Sequence, residues 1–423
     1  MTLRSRLADN ATLKALGPGL ITGAADDDPS GIATYSQAGA QFGFNTLWTL
    51  VLTFPFMVGI QLVSARIGRV TGRGLAANIR RAYSPWLLHA IVLLLLVANI
   101  INIAADIAAM GEALRLVTGF GSAHVFSLGL GVVCLSLQIL MPYSSYVRYL
   151  KWLTLGLLAY MGTALAVDID WPEVAKRTAW PDFHFTKESV ALIVAIFGTT
   201  ISPYLFFWQA SQEVEEIRAD DHAQALRKLP RDAQAQLRRI RIDTVVGMGF
   251  SNLVAFFIML TTAVTLGAHG ITSIQTSAQA AEALRPVAGE FAFILFALGI
   301  IGTGMLAVPV LAGSAAYAVT ESFKWRNGLE LKMAEARKFY GIIALATIGG
   351  VALNFAPIDP IKALVLSAQI NGVIAVPIMT VMMMVAHNRA IMGEFTLSAR
   401  HTILGWMGVA VMAVAVVAMF VTM

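Results

Sequence analysis

Long apolar stretches alternate with short polar connections along nearly the whole chain. Each stretch has roughly the 20 residues that a helix needs to cross the hydrocarbon core of a bilayer. Because lipid cannot hydrogen-bond exposed peptide groups, the backbone in such stretches is expected to be helical. The pattern predicts eleven spans, at residues 17–40, 44–68, 86–114, 123–142, 147–167, 189–216, 242–267, 289–316, 339–356, 361–386 and 402–422.

Two of these spans are interrupted by a proline that follows polar residues. In the first, TGAADDDPSG places three consecutive aspartates, at positions 26–28, directly before Pro29. In the sixth, GTTISPY places Ser202 directly before Pro203. Proline removes a helical hydrogen bond and clashes with the preceding turn, so both helices are expected to break.

The positions of the breaks predict how the chain is organised. Each break falls in the first span of a group of five, a spacing that favours two repeats of inverted topology whose half-helix ends line a small site near the bilayer midplane. We expect one membrane domain over 1–423, with repeats at 1–168 and 188–386 and an additional helix at 402–422. The longest polar connection, 218–241, is expected to be a solvated inner loop.

Composition and charge agree with a membrane protein. The chain is 57% hydrophobic and 13% charged, with a mean hydropathy of +0.71, whereas soluble domains carry about 25% charged residues. The short alternating segments of a β-barrel are absent. The net charge of +5 does not indicate a nucleic-acid partner, because the basic residues lie in loops beside the membrane.

The distribution of basic residues predicts the orientation. Cytoplasmic loops carry an excess of Lys and Arg. If the N-terminus is cytoplasmic and the C-terminus outside, only six of the 30 Lys and Arg lie outside: Arg115, Lys176, Arg177, Lys187, Arg285 and Lys362. We therefore expect a multi-pass protein of the inner (plasma) membrane in that orientation.

Aspartates at membrane depth need a partner. A carboxylate there is costly unless it faces a cavity or a counter-charge, and the nearby spans supply no basic residue. A bound cation is the expected partner for Asp28, which directly precedes the proline. For Asp26 and Asp27, a solvated helix end near the inner surface remains an alternative. Asn99, Asn102 and Asp106 share one face of the third span and are expected either to line the path or to position the broken helices.

Several stretches resemble the Nramp family of divalent metal transporters, which have a LeuT-type fold. They are GPGLITGAADDDPSG, QAGAQFGFNTLW, ARIGRVTGRGLAANIRRAYSP and NRAIMGEF, and they are distributed along most of the chain. The resemblance implies an all-α polytopic membrane protein with a 5+5 inverted repeat plus an eleventh helix. It also implies metal contact by the Asp28 carboxylate, by the Ala25 and Thr199 carbonyls and by the side chain at Ser202.

The sequence departs from the family at the implied site. Family members carry asparagine at the position of Gly31, methionine at Ser202 and histidine at Tyr204, while Gln369 corresponds to a glutamine that can join the site. Thioether sulfur is a soft ligand, and its loss leaves an all-oxygen site. Magnesium keeps several waters and suits a roomy pocket with one or two carboxylates. We therefore expect the magnesium-transporting branch of the family, with Mn²⁺ also able to fit.

The family's proton relay is also altered. The resemblance implies a relay from a glutamate on the third helix and histidines on the sixth, but these positions hold Ala109, Tyr204 and Gln209. We expect uptake driven by the metal gradient and the membrane potential, without obligatory proton coupling. The alternative is a proton-coupled Mn²⁺ or Fe²⁺ importer. The polar residues expected along the ion path are Asp26, Asp27, Tyr204 and Asp106.

Other classes of protein fit less well. An intramembrane aspartyl protease needs two catalytic aspartates in a G-x-G-D-like context, and a zinc protease needs H-E-x-x-H; neither pattern is present. An amino-acid symporter of the same fold would repel its substrate carboxylate with three aspartates. We expect no enzyme activity and no cofactor. The expected partners are a divalent metal ion and the lipid bilayer, and the oligomeric state is left open.

Overall fold

The computed structural model describes residues 17–141, 156–182, 184–220, 222–355 and 359–422. Within those ranges the regular structure is helical, with no β-strand. The α-helices, numbered here in chain order, are α1 (Pro18–Asp26), α2 (Pro29–Phe42), α3 (Leu47–Thr71), α4 (Leu75–Ala82), α5 (Pro85–Thr118), α6 (Ala123–Leu140), α7 (Leu158–Ala166), α8 (Trp171–Ala179), α9 (Lys187–Thr200), α10 (Pro203–Ala219), α11 (Ala233–Thr265), α12 (Ser277–Glu282), α13 (Arg285–Ala288), α14 (Ala292–Ser322), α15 (Arg337–Leu353), α16 (Pro360–His387), α17 (Arg389–Met392) and α18 (Ala399–Thr422).

The first predicted span is two helices, as the proline indicates. α1 ends at Asp26 and α2 begins at Pro29. Proline suits the first turn of a helix because its missing N–H would have no partner there. Asp28 is the N-cap of α2, and its carboxylate accepts a hydrogen bond of 2.7 Å from the Gly31 N–H. The cap and the proline together explain why the helix restarts at this point.

The sixth predicted span breaks in the same way but with a different cap. α9 ends at Thr200 and α10 begins at Pro203. Ser202 occupies the N-cap position without capping, because its hydroxyl donates backward to the carbonyls of Gly198 (3.0 Å) and Thr199 (2.9 Å). The oxygen of Ser202 therefore stays at the end of α9.

Eight helical segments of the described residues are long and apolar enough to cross a membrane, compared with the eleven spans predicted. The first break leaves α1 alone as a short helix, while α2 continues into α3 as one segment, Pro29–Thr71. α15 has 17 residues, one fewer than such a segment requires. The fifth predicted span lies partly at 142–155, outside the described residues.

The connection at 218–241 is shorter than predicted. We expected a solvated loop throughout, but α11 begins at Ala233, so the last part of this connection is helical. Arg239 lies on that helix and pairs with Glu213 and Glu216 of α10. These ion pairs explain why a strongly basic segment extends the helix instead of remaining loop.

Small residues hold the first broken helix against α11. A Cβ atom added at Gly23 would lie 2.2 Å from the Gly247 carbonyl oxygen, and one at Gly39 would lie 2.0 Å from the Met259 carbonyl oxygen. Such distances exclude any larger side chain. α1 and α2 therefore both lie directly on the backbone of α11, a close approach that is typical of helices packed in membranes.

Candidate metal site at the two helix breaks

Asp28 contacts α5 at Asn102, whose side-chain amide lies between the carboxylates of Asp28 and Asp106. The Asn102 amide nitrogen lies 2.9 Å from Asp28 Oδ2 and 3.3 Å from Asp106 Oδ2. Asn371 of α16 donates in turn to Asn102 Oδ1 at 3.3 Å. Asp28 and Asp106 are both buried, and Asp106 Oδ1 has no hydrogen-bond partner among the described residues. A carboxylate oxygen buried in this way is free to bind a cation.

Tyr204 brings the two breaks together. Its hydroxyl donates to the Ala25 carbonyl at 3.0 Å and lies 3.4 Å from Asp28 Oδ2. The predicted carbonyl ligand of α1 therefore carries a hydrogen bond from α10 in this conformation. A cation bound by the Ala25 carbonyl would compete with that hydrogen bond.

Thr199 and Gly31 form the contact between α9 and α2. A Cβ atom added at Gly31 would lie 3.0 Å from Thr199 Oγ1 and 3.4 Å from the Asp26 carbonyl oxygen. Little free space lies beside this glycine, although it replaces the larger asparagine that the family resemblance implies. Its small size instead lets the two halves of the site approach each other closely.

Asp26 and Asp27 turn away from Asp28 and face α11. The Ser251 hydroxyl oxygen lies 2.7 Å from Asp26 Oδ2 and 3.1 Å from Asp27 Oδ1. The two aspartates are 0% and 1% exposed, so the alternative of a solvated helix end is wrong. One hydroxyl has one proton to donate, and Asp26 Oδ1 has no partner among the described residues. This second carboxylate pair is therefore incompletely satisfied.

Gln369 is the one predicted site residue that lies apart from the others. Its side-chain amide donates to the Ala191 carbonyl at 3.4 Å. Ala191 precedes Thr199 by about two turns of α9, or about 12 Å along the helix axis. Asn371, two residues further along α16, is the side chain that reaches Asn102.

Two residues that contact the site, Ser251 and Asn371, are not among the predicted site residues. Ser251 lies in an apolar span, and no motif marks it. Asn371 stands in the polar sequence SAQIN beside Gln369 and was visible as a candidate. Asn99 takes the positioning role, since its amide donates to the Leu311 carbonyl and to the Ser314 hydroxyl of α14, both at 2.8 Å.

The charge at the breaks is not balanced by the protein. Among the described residues, no Lys, Arg or His forms an ion pair with any of the four aspartates. The same residues contain no cluster of three or more His, Cys, Asp or Glu with metal-binding geometry. Candidate ligands are therefore Asp28, Asp106 and neutral oxygens, a set that suits a hard cation retaining water.

The two broken helices, joined through Tyr204, belong to a LeuT-type fold. The fold resembles the crystal structure of an Eremococcus coleocola manganese transporter, with a TM-score of 0.73, 17% identity and coverage of 96% of this chain and 85% of that one. It also resembles the nucleobase-cation-symport-1 family transporter Mhp1, with a TM-score of 0.55, 12% identity and coverage of 96% and 92%. These likenesses confirm the predicted all-α fold.

The sequence comparisons identify the family. The family model described as natural resistance-associated macrophage protein-like (Nramp) matches residues 19–422, so the chain belongs to the Nramp family of divalent metal transporters. The divalent metal cation transporter MntH of Mycobacterium leprae is 26% identical over 404 residues, covering 92% of this chain and 88% of that protein. MntH of Yersinia enterocolitica is 28% identical over 327 residues, covering 73% of each. The prediction of a transporter and not an enzyme is confirmed.

Proposed function

We propose that the protein moves a hydrated divalent cation, Mg²⁺ in preference to Mn²⁺, into the cytoplasm by alternating access. The observation that carries the proposal is an all-oxygen set of donors at the breaks, with Ser202 in place of the family's thioether. The cation would bind the Asp28 carboxylate, the Ala25 and Thr199 carbonyls and the Ser202 hydroxyl, with water completing its shell. Asp106 would supply a second carboxylate along the ion path.

The chemistry of these donors favours a hard cation. Thioether sulfur favours softer metals, whereas carboxylate, carbonyl and water oxygens suit Mg²⁺ and Mn²⁺. Magnesium gives up its water reluctantly, so a site with few charged ligands and room for water is sufficient. Because Gly31 leaves little space in this conformation, the site must widen when it opens to admit a hydrated ion. Gln369 would join the site only if α16 or α9 moves.

The residues at the former relay positions support transport without obligatory proton coupling. Tyr204 is engaged with the Ala25 carbonyl. Gln209 Oε1 accepts a hydrogen bond of 2.5 Å from the Thr22 hydroxyl, which links α10 to α1. Glutamine does not titrate, and tyrosine titrates near 10. A divalent cation entering a negative interior gains about 4.6 kcal/mol per 100 mV, enough to drive uptake without protons.

A proton-coupled Mn²⁺ importer is the second candidate. It is favoured by the relatives named MntH and by the likeness to a manganese transporter. Under either proposal, we place the protein in the plasma membrane with its N-terminus in the cytoplasm, on the basis of the Lys and Arg distribution.

Flux into proteoliposomes tests both candidates. Purified protein would be reconstituted with dyes that report internal Mg²⁺, Mn²⁺ and pH, and flux would be measured at set membrane potentials. We expect Mg²⁺ uptake that rises with a negative interior and leaves internal pH unchanged. Mn²⁺ uptake with acidification and no Mg²⁺ uptake would overturn the proposal in favour of the second candidate. Glu290→Ala, which removes an exposed carboxylate far from the breaks, is the matched control.

A further inference from the structure

A polar cavity lies at the ends of three helices, and none of the residues at the breaks lines it. Its volume is about 670 Å³, and it is bounded by residues 72–80 after α3, 215–219 at the end of α10 and 321–331 after α14. It thus joins a segment after the second predicted span to one after the eighth. The transport site does not account for a cavity of this size.

Basic side chains dominate the lining of this cavity. They are Arg73, Arg80, Arg218, Lys324 and Arg326. Two of the five have carboxylate partners, since Arg218 lies 3.5 Å from Glu215 and Arg326 lies 3.4 Å from Glu335. Among the described residues, the other three have no carboxylate oxygen within 4.0 Å. The cavity therefore holds uncompensated positive charge.

Three carboxylates also line the cavity, those of Glu215, Glu321 and Glu330, and the first two accept hydrogen bonds from neighbouring groups. Glu321 accepts a hydrogen bond of 3.0 Å from the Ala77 N–H, at the beginning of α4. Glu215 accepts one of 3.1 Å from the Tyr317 hydroxyl in addition to its pair with Arg218. Arg80 donates to the Glu321 carbonyl oxygen and not to its carboxylate. The lining therefore contains five basic and three acidic side chains, and its net charge is positive.

Repulsion among basic side chains is a feature of the walls that a bound anion would relieve. Partial burial and the positive charges of Arg81 and Arg80 lower the pKa of the Arg73 guanidinium below its usual range. Lys324 has φ of 58° and is the one non-glycine residue with positive φ among the described residues. Lys324 directly follows the C-cap of α14, where the Trp325 N–H donates to the Thr320 carbonyl at 2.8 Å and the Lys324 N–H donates to the Glu321 carbonyl at 3.4 Å, so the capping of the helix explains this conformation. The cap fixes Lys324 at the edge of the cavity, and the proximity of Arg73 to Arg80 and Arg81 concentrates positive charge there.

We propose that this cavity binds a phosphate-bearing anion, supplied either as soluble phosphate or as the head group of an anionic lipid. Guanidinium and ammonium groups that converge without carboxylate partners are the usual recognition elements for phosphate. Phe323, beside Lys324, is 52% exposed and could contact lipid. This inference goes beyond the proposed transport function and does not depend on it. A bound anion would join the segment after α3 to the segment after α14, beside the end of α10.

Thermal unfolding of the purified protein tests the proposal. Melting temperature would be measured in neutral phosphatidylcholine nanodiscs with increasing pyrophosphate, and in nanodiscs containing phosphatidylglycerol without added phosphate. The test variant is Arg73→Gln with Lys324→Gly, because glycine accepts the positive φ and the backbone is preserved. The control variant, Lys228→Gln with Arg231→Gln, removes the same charge from exposed positions outside the cavity.

The expected results separate the two sources of the anion. Wild type and control should be stabilised by pyrophosphate, by the anionic lipid or by both, because a ligand that binds only the folded state raises its stability. The test variant should bind at least about tenfold more weakly, while its metal flux in neutral lipid stays at the wild-type level. A response to pyrophosphate identifies soluble phosphate, and a response to lipid alone identifies a head group. Equal responses in the test and control variants, or no response to either anion, would overturn the proposal.

Discussion

Two acidic clusters in this protein, one buried and one partly exposed, differ in what balances their charge. The break cluster is Asp26, Asp27, Asp28 and Asp106. The anchor cluster is Glu213 and Glu216 of α10 with Arg239 and Asp243 of α11. Arg239 Nη2 lies 2.7 Å from Glu213 Oε2 and 2.8 Å from Glu216 Oε2. Asp243 accepts hydrogen bonds from the Gly17 and Gly19 N–H groups, at 2.8 and 2.7 Å, and so ties the beginning of α1 to α11.

The contrast shows how the same residue types serve structure in one place and transport in another. In the anchor cluster, the Arg239 guanidinium and backbone N–H groups compensate part of the carboxylate charge, although Glu213 Oε1 has no hydrogen-bond partner among the described residues. In the break cluster, the donors are neutral amide, hydroxyl and backbone groups, which cannot cancel a net negative charge. Under the proposed function, a transported cation supplies the missing positive charge there.

The largest expected effect is loss of transport when Asp28 is removed. Asp28→Ala deletes the proposed anionic ligand and should reduce Mg²⁺ and Mn²⁺ flux by at least about 100-fold, equivalent to about 3 kcal/mol. The protein should still fold, because the anchor cluster is unaffected. Flux in proteoliposomes and gel filtration of the variant check this, with Glu290→Ala as the control. Flux within twofold of wild type would remove Asp28 from the site.

Substitutions in the anchor cluster should change the stability of the protein and not its selectivity among metals. Arg239→Met removes the direct ion pair of the buried Glu213 and should lower the free energy of unfolding by about 3 kcal/mol, the low end for a broken buried pair, because Arg69 remains 4.0 Å from Glu216. Thermal and denaturant unfolding in detergent measure this. The exposed control Arg231→Met should change stability by less than about 0.5 kcal/mol.

A double variant tests whether the buried charge of Glu213 causes the loss of stability. Adding Glu213→Gln to Arg239→Met removes the unpaired charge and should recover part of the lost stability. If Arg239→Met is as stable as the exposed control, the anchor cluster does not stabilise the fold.

Restoring a thioether at the break should change which metal is preferred. Ser202→Met adds a soft ligand and should shift the ratio of Mn²⁺ to Mg²⁺ flux by about tenfold toward Mn²⁺, with a similar gain for Cd²⁺. Competition between the metals in one flux assay measures the ratio. Ser202→Ala separates loss of the hydroxyl from gain of sulfur. An unchanged ratio in Ser202→Met would contradict the hard-ligand explanation.

The smallest expected effect comes from the hydroxyl that joins the breaks. Tyr204→Phe removes the hydrogen bond to the Ala25 carbonyl, worth about 1 kcal/mol, and should change flux by about fivefold or less. Internal pH should stay constant during transport in both wild type and variant, since no proton passes through this hydroxyl. Acidification in wild type that disappears in Tyr204→Phe would show that the tyrosine takes part in proton coupling.

Local chemistry made much of the site predictable. Proline and its polar neighbours specified both breaks, and Asp28 as the cap of α2 follows from its place directly before Pro29. The hydrophobic pattern predicted most spans. It did not predict how short α1 and α15 are, because that depends on where each helix ends. The contact between α10 and α11 extended a helix into a segment that looked like loop, because ion pairs formed between residues distant in sequence.

The sequence by itself determined the helical membrane class, the two breaks and the oxygen-rich residues beside them, because those follow from local backbone preferences and from the solvent properties of lipid. Only the tertiary structure decided how the aspartates are divided. Ser251, more than 200 residues from Asp26, lies beside it because glycines let α1 rest on α11. The rotation of α16 likewise presents Asn371, and not Gln369, to Asn102. Such rotations depend on the packing of whole helices, which no short stretch of sequence encodes.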